Sequence, residues 1–246
     1  MPERGAPAPK DRVLVALDVE TLEAAQALLD RLAGAVSGVK IGSQLFTAAG
    51  PAAVEAALKR DLRVFLDLKF HDIPTTVAGA VREATRLGVF MLNVHASGGA
   101  AMLRAAAEAA TKAAADLRAP RPICLGVTVL TSLDRHALDR ELGVSANVET
   151  HVLRLAELAR DGGLDGCVAS AQEIRLLRMA LGPRWVIVTP GIRPAERGDD
   201  QKRVATPEAA VRAGADYLVI GRPITAAPDP AAAAATILAA LETVIR

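Results

Sequence analysis

RVLVALDVETLE, residues 12–23, decides the fold. Val13 to Leu17 make a short apolar run of the kind found in a strand buried on both faces, and it passes straight into a polar turn and a helix from about Thr21. A doubly wound dinucleotide-type sheet would open at this turn with a glycine-rich phosphate loop. LDVETLE contains no glycine. The same strand-then-helix unit recurs to the end of the chain: GVKIG with a helix from about Gln44, RVFLDLK with one from about Pro74, and VFMLNVH with one from about Ala100. ICLGVTVL follows with a helical region reaching Arg160, then LDGCVAS with a helix from about Ala171. RWVIVTP leads through a Gly-rich loop to a helix after Pro207, and DYLVIG precedes a last helix from about Pro230. Eight βα units in about 235 residues predict a single-domain (β/α)8 TIM barrel over residues 12–246, with residues 1–11 a flexible N-terminal leader.

Composition narrows the partners. The 246 residues are 51% hydrophobic and 23% charged, and 29 Lys plus Arg stand against 28 Asp plus Glu for a net charge of +1. Neither a basic stripe nor an aromatic ladder is visible, which argues against a nucleic-acid partner. No apolar run approaches the roughly 20 residues that span a bilayer, and MPERGAPAPK lacks a signal peptide's apolar core, so a cytoplasmic protein without membrane contact is expected. Cys124 and Cys167 lie inside apolar runs and read as small core residues.

A barrel places its active site at the C-terminal ends of the strands. FLDLKFHDIP, residues 65–74, puts Asp67, Lys69, His71 and Asp72 at such an end. Side chains alternate along a strand, so Phe65, Asp67 and Lys69 share the inner face while Leu66 and Leu68 pack outward. Lys40, ending strand two, would stand beside them, and Asp18 shares the inner face of strand one with Leu14 and Ala16. Asn93 and His95 end strand four; Thr128 and Thr131 end strand five. A buried ion-pair network that only fixes strand register is the bland reading of these charges. Against it, only 6 of the 29 basic residues are lysine, yet lysine occupies two strand ends. Lysine yields a proton when its surroundings are tuned and arginine does not, which favours proton transfer. His71 and His95 read as positioning residues, and Trp185 and Tyr217 as packing.

TPGIRPAERGDDQKR, residues 189–203, and VIGRPIT, residues 219–225, bring Gly191, Arg193, Gln201, Gly221 and Arg222 to one corner after strands seven and eight. Barrels bind phosphate there with loop N–H groups, so a phosphate ester is the expected handle. The composition of GIRPAERGDDQKR suits a lid, with residues 195–200 at its centre.

LDLKFHDIP with its Asp-x-Lys-x-x-Asp core, joined to VKIG, NVHASGG, VTVLTS, TPGIR and VIGRP in that order, resembles the bacterial-type orotidine 5′-phosphate decarboxylase family from about Arg12 to the C-terminus. The resemblance implies decarboxylation of orotidine 5′-monophosphate (OMP) to uridine 5′-monophosphate (UMP), the last step of de novo pyrimidine synthesis, without metal or organic cofactor. It implies a charged array of Lys40, Asp67, Lys69 and Asp72, with Lys69 delivering a proton to C6 of the pyrimidine. It further implies a homodimer with shared active sites, Asp72, Ile73 and Thr76 reaching into the partner's site. Asp18 and Lys40 would hold the ribose and Thr131 would lie by the pyrimidine. Pro190 joins the substrate-binding residues, and Arg193, Gln201, Gly221 and Arg222 would take the phosphate. Two other readings remain: a metal-dependent keto-sugar-phosphate decarboxylase of the same superfamily, and a non-catalytic nucleotide-binding barrel. The first typically places a Glu at the end of strand two, where this chain has Lys40; the second predicts a damaged charged array.

Overall fold

The computed structural model describes residues 7–194 and 205–245. Eight parallel strands close into a barrel in sequence order: β1 (Val13–Ala16), β2 (Gly38–Gly42), β3 (Arg63–Phe70), β4 (Met91–His95), β5 (Ile123–Val127), β6 (Gly166–Val168), β7 (Val186–Thr189) and β8 (Tyr217–Ile220). Closure is made by β8 pairing with β1, Leu218 opposite Val13 and Val219 opposite Leu14. The alternation read from the sequence holds in β1: Leu14 and Ala16 pack inside the barrel with Phe65, Met91, Leu125 and Val219, while Val13, Val15 and Leu17 face the helices. Both faces of a strand are therefore apolar, which is why the strands read as continuous hydrophobic runs.

Helices begin where the sequence supplies a cap. Thr21 accepts from the Ala24 amide to start Leu22–Leu32, and Asn147 from the Thr150 amide to start Val148–Asp161. Pro74 and Pro230 occupy first helical positions, where the missing N–H costs nothing. The region expected to be helical up to Arg160 divides into Arg135–Arg140 and Val148–Asp161, and β5 stops at Val127, leaving Thr128 to Thr131 in the loop beyond it. A side chain on Gly166 would meet the Val186 carbonyl oxygen at 2.2 Å, so only glycine allows β6 its approach to β7.

The two ends of the barrel use different cations. At the N-terminal end, arginines bind the strand starts: Arg121 pairs with Asp165 at 2.5 Å, Arg178 with Asp216 at 2.7 Å, and the buried Arg12 donates to the carbonyls of Ala215 and Asp216 at 3.0 and 3.3 Å. Asp165 also accepts from the Cys124 amide and Asp216 from the Ile187 amide, so each carboxylate ties two segments together. Arginine's rigid fork and permanent charge suit that fastening task. At the C-terminal end the cations inside the mouth are lysines, Lys40 and Lys69.

Candidate active site

Four side chains, from β2, β3 and the turn after β1, form a line of alternating charge at the C-terminal mouth. Lys40 Nζ lies 3.0 Å from Asp18 Oδ1 and 3.6 Å from Asp67 Oδ2, and Lys69 Nζ lies 2.8 Å from Asp67 Oδ1. Lys40 and Asp67 are largely buried, with side-chain exposures of 11% and 14%, whereas Asp18 at the end of the line is open to solvent. Removing Asp67 would leave Lys69 without its carboxylate partner and the buried Lys40 with only the exposed Asp18, the arrangement in which a lost partner costs most. A register-fixing network would be sealed by packing; this one lines an open cavity of about 320 Å³ together with Phe65, Thr131, Pro190, Gly191 and Gly221.

Lys69 arrives at the mouth by a route that alternation does not foresee. β3 pairs regularly with β4 at Phe65–Met91 and Leu66–Leu92, and the next pair is Phe70–Val94, so Asp67, Leu68 and Lys69 together face Asn93. The strand bulges there, and Lys69 takes a left-handed backbone with φ of 52°. For a side chain other than glycine that conformation costs about 1–2 kcal/mol, which the surroundings must offset. The fully buried Asn93 stands opposite the bulge: its Oδ1 accepts from the Lys69 amide at 2.8 Å and its Nδ2 donates to Asp67 Oδ1 at 2.7 Å. Sequence reading places Asn93 only among the polar strand ends and assigns it nothing; an uncharged amide between apolar neighbours in MLNVH is its one signal.

His71 and His95 lie beside this group with ring centroids 5.2 Å apart. Burial, then His71 and Lys69, hold the His95 imidazole below its ordinary pKa, while Asp67 pulls the other way. His95 thus adds no third cation to the mouth near neutral pH.

The remaining expected site residues divide by place. Thr131, Pro190 and Gly221 line the cavity with the charged array. Arg193 and Arg222 are exposed at its rim, two residues beyond Gly191 and one beyond Gly221, and among the described residues neither guanidinium has a carboxylate partner. Gln201 and the proposed lid at 195–200 lie outside the described residues. Asp72, Ile73 and Thr76 are exposed and are not part of the cavity's lining. Asp72 folds back to accept from the Ile73 amide at 2.6 Å, and Ile73, an apolar side chain, is 64% exposed. The structure therefore brings together Asp18, Lys40, Asp67 and Lys69 of the chain's own array, and leaves Asp72 outside it.

A divalent cation would need the place between Asp18 and Asp67, which the ammonium of Lys40 fills. Among the described residues no group of three or more His, Cys, Asp or Glu side chains is placed to hold a metal ion. No described helix is long and apolar enough to cross a membrane.

Residues 11–237 match the family model "Orotidine 5'-phosphate decarboxylase / HUMPS family". The chain is 60% identical over 237 residues to an orotidine 5′-phosphate decarboxylase of Moorella thermoacetica, covering 96% of this chain and 94% of that one. It is 51% identical over 231 residues to the protein of the same name from Idiomarina loihiensis, covering 94% and 97%. Among solved structures, orotidine 5′-phosphate decarboxylase from Lactobacillus acidophilus superposes with a TM-score of 0.83 at 35% identity, over 94% of this chain and 99% of that one.

Proposed function

The chain belongs to the orotidine 5′-phosphate decarboxylase / HUMPS family and converts OMP to UMP and CO₂ in pyrimidine biosynthesis; on that premise we propose that Lys69 is the acid that protonates C6 and that Asp18, Lys40 and Asp67 set its charge and place. What supports this reading most is the line of alternating charges at 2.8 to 3.6 Å, assembled in advance beside a cavity. Loss of CO₂ leaves an electron pair at C6 that the pyrimidine ring delocalises poorly, so the barrier must fall through fixed charge and position. The Lys69 ammonium faces that charge as it forms, then transfers a proton: the C–H bond forms at C6, one N–H bond breaks, and the neutral amine is reprotonated from solvent. Asp67 holds the ammonium and also repels the substrate's carboxylate, by about 4 kcal/mol at about 4 Å in a dielectric near 20. That repulsion falls as CO₂ departs.

The same proposal gives Asp18 and Lys40 the ribose, Thr131 and Pro190 the pyrimidine's side of the cavity, and Arg193, Arg222, Gln201 and Gly221 the phosphate. Two rim guanidiniums that have no carboxylate partner among the described residues are suited to a phosphate dianion. Arg222→Ala should raise KM for OMP by roughly 10- to 100-fold with kcat nearly unchanged, the range for a charged hydrogen bond lost equally from ground and transition states. An unchanged KM in steady-state assays would remove Arg222 from the phosphate site.

The same proposal has no metal in the chemistry, which the place of Lys40 between Asp18 and Asp67 supports, so activity should be the same after dialysis against EDTA as before. Loss of activity that Mg²⁺ restores would favour the metal-dependent keto-sugar-phosphate reading. The active unit in this proposal is a homodimer in which Asp72, Ile73 and Thr76 complete the partner's cavity. Their exposure and their absence from the chain's own cavity support it. A cytoplasmic place of action belongs to the same reading, because substrate and product are phosphorylated nucleotides, too charged to pass a bilayer unaided.

A further inference from the structure

The bulge in β3 separates two requirements that one strand cannot meet by alternation alone. Asp67 and Lys69 must both point into the mouth, and their charged ends must meet at 2.8 Å, although a regular strand would hold alternate side chains parallel and apart. The left-handed turn at Lys69 brings them together, and it leaves the Lys69 amide out of the ladder with β4. That N–H is a donor and the Asp67 carboxylate is an acceptor, so whatever stands opposite must offer one acceptor and one donor a short distance apart. A carboxamide does this and no other side chain of that size does. A serine hydroxyl does not span both groups, an aspartate would set a second carboxylate against Asp67, and a leucine would leave the Lys69 amide without this acceptor and Asp67 held by the two lysines alone.

We propose that Asn93 is a positioning residue for the reaction: its carboxamide sets the backbone of Lys69 and the carboxylate of Asp67 in one geometry, and so fixes where the ammonium stands when C6 becomes charged. The amide's orientation is determined by its partners, since only Oδ1 can accept from the Lys69 N–H at 2.8 Å and only Nδ2 can donate to Asp67 at 2.7 Å. Asn93 is fully buried, so in the intact protein both bonds are made by the carboxamide and not by solvent. Met91 below it packs inside the barrel, and Leu125, its neighbour on β5, is fully buried in the same cluster, so the carboxamide rests on the packed interior of the barrel. Asn93 acts on the chemistry only through the pair it holds. The inference therefore rests on the reading of Lys69 as the acid.

The test compares Asn93→Ala and Asn93→Asp with the parent and with Lys69→Ala, measuring kcat and KM for OMP, the dissociation constant of UMP by calorimetry, and the thermal midpoint of each protein. Asn93→Asp keeps the size of the side chain and an acceptor for the Lys69 amide but offers Asp67 no donor, so it remains informative if the alanine variant fails to fold. Displacement of the ammonium should lower kcat by roughly 100-fold in either variant, with KM and the UMP dissociation constant within about threefold of the parent. A purely structural asparagine would lower the thermal midpoint and leave kcat per folded molecule unchanged, and that result overturns the proposal. Parallel loss of turnover and UMP binding overturns it as well. Lys69→Ala keeps the two ideas apart: if it turns over normally, the premise about the acid is wrong, and if it is dead while both Asn93 variants match the parent, only the present inference fails.

Discussion

Lys69→Ala should lower kcat for OMP by at least about 10⁴-fold while UMP binds within about tenfold of the parent. Two contributions are removed at once. A positioned general acid is worth roughly 10²–10⁴-fold and one preorganised donor facing a developing anion roughly 10²–10³-fold. UMP already carries its C6 proton and has no carboxylate to accommodate, so its binding depends on the ribose and phosphate contacts, which the substitution leaves alone. Lys69→Arg separates charge from acidity: a guanidinium keeps the positive charge but holds its proton far too tightly to release it to C6. If the arginine variant retained more than about a hundredth of parental kcat in a continuous absorbance assay, charge alone would suffice and the acid role would be withdrawn.

The lysine's surroundings give this prediction its size. Within one chain the array is neutral, two ammoniums against the carboxylates of Asp18 and Asp67. In such a neutral group the repulsion of the substrate's carboxylate by Asp67 is partly offset by the attraction of the two ammoniums. On the proposed dimer, Asp72 from a second chain would make the array negative by one charge, and the incoming carboxylate would then meet net repulsion that ends with departure of CO₂. The bottom of the barrel shows what an array built only for stability looks like here: Arg121 with Asp165 and Arg178 with Asp216, each carboxylate also taking a backbone amide, beside strand starts.

That contrast explains how much of the molecule could be read in advance. The eight-fold strand and helix alternation, and the inner and outer faces of β1, follow from hydrophobic periodicity, which buried parallel strands express strongly. Lys40 and Asp67 lie within β2 and β3 and Asp18 two residues beyond β1, and they meet because all three continue the inner-face alternation of their strands. Lys69 reaches the same mouth, but its approach depends on a bulge and a left-handed residue that no local pattern in LDLKF announces, because the cause is a tertiary bond to Asn93 on the next strand. Asn93 itself is legible only as a polar residue in an apolar strand; its meaning lies in what stands opposite. The sequence pattern puts Thr131 at the end of β5; the strand stops at Val127, but the loop beyond carries Thr131 to the cavity all the same.

Mixing two inactive variants tests the largest structural claim, that Asp72 serves the neighbouring subunit. Alone, Asp72→Ala should be nearly inactive, because it removes the charge that unbalances the array. When Lys69→Ala and Asp72→Ala chains are unfolded together and refolded, random pairing makes about half of the dimers mixed, as expected for a symmetric, self-complementary interface. In a mixed dimer with shared sites, one site receives both lesions and the other receives none. About a quarter of all sites are then intact, so the mixture should recover about a quarter of parental activity from two preparations that each have almost none. If Asp72 instead acts within its own chain, every site in every dimer keeps one lesion and no recovery occurs at any mixing ratio. The exposed Ile73 beside Asp72 is part of the same prediction: Ile73→Asp should shift the protein toward monomers in sedimentation and lose activity in step with the dimer, since an aspartate cannot be buried unpaired where an isoleucine was.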